Sequence, residues 1–238
     1  MRNLASVAAL IGVALAGTAT AQEFKGAEVS AELLTFNDGD DIVANNYRGS
    51  VEFGLMGTFG AAADLSFYDI EDGDGVRNVT LHALYDAFSL GTVGGFYARD
   101  TAEDEDPVNI FGVEGGTSFG QAGVEGYLGF GEDNGLDFTI FGFDGAFDIT
   151  SQISVTASGA AASLERGGFS RLSIGAEYRF GETGPAVYAD FGRVREDEAG
   201  GRYTDDSSFF GFGGRIAIGP NQGTTFESRG LTEVVGSF

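Results

Sequence analysis

His82 is the only histidine in this 238-residue chain and cysteine is absent, so any histidine-based proton transfer rests on one position. A serine–histidine pair also needs a third group to orient the ring and a donor for the oxyanion. His82 stands in Thr80-Leu81-His82-Ala83-Leu84, and Asp86 is close enough along the chain to satisfy it as a structural histidine. The glycine-rich run Gly112–Gly116 has no helix after it, which removes a phosphate-binding loop. Two acidic runs offer oxygen donors, Asp69-Ile70-Glu71-Asp72-Gly73-Asp74-Gly75 and Glu103-Asp104-Glu105-Asp106. In the first, the alternate-donor spacing of a calcium loop breaks at Gly73. The second reads as a solvated loop tip. These patterns predict no catalytic group, no resident metal and no cofactor, while leaving the acidic loops able to bridge divalent cations weakly.

The remaining chemistry-bearing residues recur on the polar faces of alternating segments. They are Glu52, Asp64, Glu125, Asp137, Arg171, Glu177, Arg179, Tyr188, Asp190 and Arg215. If those faces enclose a lumen, charges of both signs form either a wet, selective pore or a mutually paired plug. These ten are the candidate pore-lining residues.

Period-2 alternation supplies the elements that position them. The clearest case is 170–180, with Leu172, Ile174, Ala176, Tyr178 and Phe180 on one face and Arg171, Ser173, Gly175, Glu177 and Arg179 on the other. Segments 27–36, 47–56, 59–70, 79–88, 122–130, 136–147, 153–163, 186–194 and 208–218 behave similarly, while 91–99 and 107–118 carry glycine on both faces. The expected fold is all-β: an antiparallel transmembrane barrel of about twelve strands, each of about 9–12 residues, the length that crosses hydrocarbon at a tilt. Ten strands is the alternative if the two glycine-rich segments drop out.

Connections alternate in kind. Gly57–Gly60, Ser89–Thr92, Ser118–Gln121, Asp148–Gln152 and Gly181–Pro185 are short. Asn37–Asn46, Glu71–Asn78, Thr101–Pro107, Gly131–Gly135, Glu165–Gly168 and Arg195–Asp206 are the others, mostly longer and acidic. Small turns on one side and open loops on the other characterise strands crossing a membrane. An even strand number with the first strand outward-bound places the acidic connections outside. A soluble β-sandwich, the rival fold, would lack that strict alternation of sides. Prolines occur only at segment borders, Pro107, Pro185 and Pro220, as ladder pairing demands. Glycines beside aromatics, in Phe141-Gly142-Phe143 and Phe210-Gly211-Phe212, suggest aromatic cover for exposed backbone.

Arg2, the apolar stretch Leu4–Ala16 and the small residues up to Ala21 fit a secretory signal cleaved after Ala21. The domain reading is therefore a signal peptide over 1–21, a barrel over 22–218, and a tail over 219–238 that is periplasmic or plug-like. A formal net charge of −23 repels nucleic acid and anionic lipid and favours cations.

In signal, hairpin rhythm, acidity and final aromatic, Phe238, the chain resembles the porin-like outer-membrane proteins of Gram-negative bacteria, over residues 22–218. The resemblance implies passive diffusion of small cationic or neutral solutes, with outer-membrane lipid and lipopolysaccharide as surroundings. No connection is long enough to fold in as a general-porin constriction loop. A non-conducting structural or surface-interaction barrel is the alternative. Outer-membrane barrels also include hydrolases, but the phospholipase His-Ser-Asn run has no counterpart around His82.

Overall fold

A computed structural model describes residues 23–235 apart from 39, 71–74, 88–89, 103–104, 165–166, 182–183 and 199–201. The expected signal over 1–21, the acidic positions 71–74 and 103–104, and Phe238 lie outside the described residues. Twelve strands follow one another: β1 (Glu23–Asp38), β2 (Asp40–Met56), β3 (Phe59–Ile70), β4 (Val76–Asp86), β5 (Thr92–Thr101), β6 (Val108–Phe119), β7 (Ala122–Asp133), β8 (Leu136–Asp148), β9 (Ile153–Leu164), β10 (Gly167–Arg179), β11 (Ala186–Glu198) and β12 (Arg202–Ile218). Each is antiparallel to its sequence neighbours, and β1 pairs β12 from Ala27↔Ile218 to Asn37↔Ser208, which closes the sheet. Closure satisfies every ladder and leaves no edge strand, the condition for a sheet in lipid.

The glycine-rich segments 91–99 and 107–118 are β5 and β6, so the count is twelve. Phe96 of β5 covers glycines across strands: Cβ atoms at Gly112 of β6 and Gly129 of β7 would lie 2.4 and 3.0 Å from its ring. Tyr127 likewise covers Gly142, and Phe143 covers Gly159. The cover expected from sequence-adjacent aromatics is therefore supplied by neighbours on paired strands, because adjacent residues on a strand point to opposite faces.

The expected open loops at 37–46 and 195–206 are corrected. β1 and β2 remain paired out to Asp38↔Asp40, and β11 and β12 out to Glu198↔Arg202. Apolar residues continue the alternation among the acids: Leu34, Phe36, Ala44, Tyr68, Val76 and Phe209 form one buried cluster at this end. The acids marked solvent, and the apolar partners between them kept the ladder. At about 3.3 Å per residue, the 17 residues of β12 extend well beyond what a crossing needs.

The outer wall is apolar, with Phe111, Val113, Leu172, Ile174, Phe191 and Ile216 all more than half exposed. At the short-turn ends of the strands it carries Phe59, Tyr85, Phe119, Phe147, Tyr178 and Phe180, an aromatic girdle of the interfacial kind. The short turns match expectation: 57–58 between β2 and β3, 120–121 between β6 and β7, and 149–152 between β8 and β9.

Candidate functional site

Beyond Ile218 the chain turns back and enters the barrel from the short-turn side. Gly219 (φ +93°) and Gly223 (φ +125°) adopt backbone conformations open to glycine. At Gly26 a Cβ would lie 1.8 Å from the Gly223 carbonyl oxygen, so only glycine lets the returning chain pass the wall there. The Asn221 amide donates to the Lys25 carbonyl at 2.9 Å. The tail then climbs the inner surface of β2–β7, gripped largely through its backbone. Thr225 N–H donates to Glu52 Oε2 (2.6 Å), Arg229 N–H to Thr80 Oγ1 (3.0 Å) and Leu231 N–H to Asp100 Oδ2 (2.7 Å). Asn78 Nδ2 donates to the Arg229 carbonyl at 2.8 Å. A single helical turn, α1 (Thr232–Val235), follows. Leu231 and Val234 join Phe96, Ala98, Ile110, Tyr127, Phe138, Ile140 and Ala162 in a buried apolar cluster inside the barrel.

Arg229 is the centre of this arrangement, with 1% of its surface exposed. Its Nε donates to Glu114 Oε2 (3.1 Å) and its Nη2 to Glu125 Oε1 (2.7 Å), while Cζ lies 4.5 Å from the centre of the Tyr127 ring. Burial opposes the charge, but the carboxylates of Glu125 and Glu114 outweigh it and hold the guanidinium pKa above its ordinary value. Behind Glu114, His82 stands between two acids, Nδ1 2.6 Å from Glu114 Oε1 and Nε2 2.7 Å from Asp64 Oδ2. Strands β3, β4, β6 and β7 are thus joined through the tail arginine. Nearby on β2, Arg48 pairs with tail acids Glu227 (3.0 Å) and Glu233 (2.5 Å).

The space left beside the tail is a cavity of about 720 Å³. Its lining includes nine carboxylates and four guanidiniums: Glu28, Glu32, Asp86, Glu125, Asp144, Glu177, Asp190, Glu227 and Glu233 against Arg48, Arg171, Arg215 and Arg229. Of the ten residues expected inside, Glu125, Arg171, Glu177, Tyr188, Asp190 and Arg215 line this cavity. Glu52 and Asp64 face inward but serve the tail and His82. Arg179, also inward, donates to Asp148, Ser154 and Glu177.

Asp137 is the exception. Phe138 and Ile140 are buried in the lumenal cluster, so Asp137 stands on the outer face at the start of β8, where it is exposed. The lumen is apolar at that height, which reverses the polarity rule that assigned its face. One further expectation is corrected: the partners of His82 are Asp64 and Glu114 in place of Asp86. Tyr188 stands between Glu177 on β10 and Gly213 on β12. Arg215 nevertheless reaches over β11 to Glu177, donating from Nε at 2.6 Å and Nη2 at 2.8 Å, and also to Glu28 at 2.7 Å.

Sequence reasoning missed Arg229, Glu114, Asp144, Arg48, Glu28 and Glu32. Glu28 and Glu32 lay in plain view on the polar face of the first alternating segment. Glu114 was hidden among glycines, and nothing local marks Arg229. A Gly-x-Ser-x-Gly spacing also exists at Gly116-Thr117-Ser118-Phe119-Gly120. It spans the end of β6 and the tight turn into β7, with none of the strand–turn–helix context that a nucleophile elbow requires.

No protein-family model and no curated protein matches this chain in sequence. Among solved structures, the NanC porin aligns with a TM-score of 0.60 at 9% identity, over 79% of this chain and 98% of that one. The KdgM porin, solved in complex with disordered oligogalacturonate, gives 0.57 at 7% identity over 80% and 99%. Omp33 of Acinetobacter baumannii gives 0.51 at 11% over 82% and 99%. The fold is that of porin-like outer-membrane β-barrels.

Proposed function

We propose that this chain is an outer-membrane, porin-like channel for passive diffusion of small cationic or neutral solutes, exported by its cleaved N-terminal signal. The observation that carries the reading is the cavity of about 720 Å³ inside a closed barrel, lined by nine carboxylates against four guanidiniums. A confined, acid-rich lumen concentrates cations and repels anions. The fold shared with two porins supports a conduit. The acidic lining argues for solutes of opposite charge to the oligogalacturonate held by the KdgM porin. Hydrolysis is disfavoured at His82, since carboxylates meet both ring nitrogens and leave neither to take a proton from a hydroxyl.

One observation favours a second reading, a non-conducting barrel: the tail fills the lumen along β2–β7 and its helical turn packs against β9 and β10. Purified protein in a planar bilayer separates the two. Discrete conductance steps, with a reversal potential of the sign for cations in a potassium chloride gradient, are expected. Absence of conductance in well-inserted protein supports the blocked barrel, and anion preference overturns the proposed solute class.

A further inference from the structure

The tail and the wall divide the Arg229 contacts unequally. The tail contributes the guanidinium and the Phe226 ring at 5.8 Å. The wall contributes Glu114, Glu125 and the Tyr127 ring, two carboxylates and an aromatic face around one planar cation. That combination suits a guanidinium in particular: the fork takes two separate carboxylates while its flat face stacks on a ring. The wall side is held from behind, because His82 and Asp64 fix Glu114, whose side chain is fully buried.

Two further features set this apart from an ordinary internal ion pair. Glu125, Tyr127 and Arg229 all line the open cavity, so a solute in the channel stands beside the pair with no wall between them. The occupant also arrives on a leash, past Gly219 and Gly223, and is followed by one helical turn. Outside this site, among the described residues, the tail's ion pairs are Glu227 and Glu233 with Arg48, of which Glu227 is largely exposed, and its Thr225 and Leu231 amides donate to Glu52 and Asp100.

We propose that Glu114, Glu125 and Tyr127 form a binding site for a guanidinium-bearing solute, occupied here by the chain's own Arg229, and that such a solute displaces the tail and widens the channel. The inference rests on the porin reading and names its solute class. Glu114 and Glu125 receive the guanidinium, Tyr127 stacks on it, and Arg229 acts as a tethered competitor. Exchange of one guanidinium for another keeps Glu114 and Glu125 paired throughout, which avoids the cost of exposing them singly, while Glu52 and Asp100 lose their tail amide donors when the tail moves.

The test uses full-length protein in planar bilayers, with L-arginine as probe and L-citrulline as its uncharged counterpart. In the unsubstituted protein, millimolar L-arginine should raise conductance at least twofold, and L-citrulline should not. Arg229→Ala should conduct more at rest, and L-arginine should now reduce its current by filling the vacated site. In that background Glu125→Gln should weaken the reduction about tenfold. Heat-modifiable gel migration checks that each variant is a folded barrel. Calorimetric binding of L-arginine to detergent-solubilised Arg229→Ala supplies a readout independent of current. Equal effects of arginine and citrulline, or no binding of arginine to a folded Arg229→Ala barrel, overturn the inference. A channel that conducts potassium yet ignores arginine overturns it and leaves the porin reading intact. Arginine binding to a barrel that conducts in no form overturns the porin reading and the widening of the channel with it, and leaves only the guanidinium site.

Discussion

At the residue scale, inward charges act in combinations that sequence position does not reveal. Glu177 accepts from both Arg179 and Arg215, and Arg215 also donates to Glu28, so the β10–β12–β1 side of the lumen is partly neutralised near the short turns. Arg215→Glu removes the cation between two carboxylates and adds a third, and should raise the potassium-to-chloride permeability ratio. Glu177→Arg should lower it. Unchanged ratios in inserted, conducting protein would take these residues out of the ion path. Packing is equally specific: Tyr127 lies flat on Gly142, where a Cβ would meet its ring at 2.5 Å. Gly142→Ala should therefore cost about 1–3 kcal/mol through overpacking, read as a lower temperature for loss of the compact gel form. Alternation made Glu177, Arg215 and Asp190 legible as inward. It misplaced Asp137 because the lumen at that height is filled by Phe138, Ile140 and the tail, a fact written on a segment about 100 residues away.

At the scale of elements, strand number was legible because an apolar lipid-facing side repeats every second residue on nearly every crossing. β5 and β6 were harder, since glycine erases the contrast between faces and its cover comes from Phe96 and neighbours on paired strands. The extents of β1, β2, β11 and β12 were misread for another reason. Acids there signal water, but water at one face is compatible with continued pairing when Leu34, Ala44 and Phe209 fill the other. Sidedness follows from the elements and can be checked directly, as the chain has no cysteine of its own. Single cysteines at Glu105 and Asn134 should react with an impermeant maleimide on intact cells. Those at Thr58, Gln121 and Gln152, in the short turns, should react only after the outer membrane is opened. A reversed pattern would show that the first strand runs inward.

At the scale of the whole molecule, the balance of charge decides what the barrel passes. A formal charge of −23 is spread over the chain, and nine carboxylates against four guanidiniums face the cavity, so surface and lumen carry the same sign. Selectivity from such a field differs from selectivity by a tight coordination site, because mobile ions screen the field. The Debye length is about 30 Å in 0.01 M salt, enough to span the lumen, and about 3 Å in 1 M salt, comparable with one side chain. The potassium-to-chloride permeability ratio should therefore stand well above one in dilute salt and fall toward one as salt approaches 1 M. Arg215→Glu should shift the dilute-salt value most and the 1 M value little. A ratio that holds constant across that range would point to a short-range filter of directly contacting groups, and would remove the diffuse acidic lining as the source of cation preference.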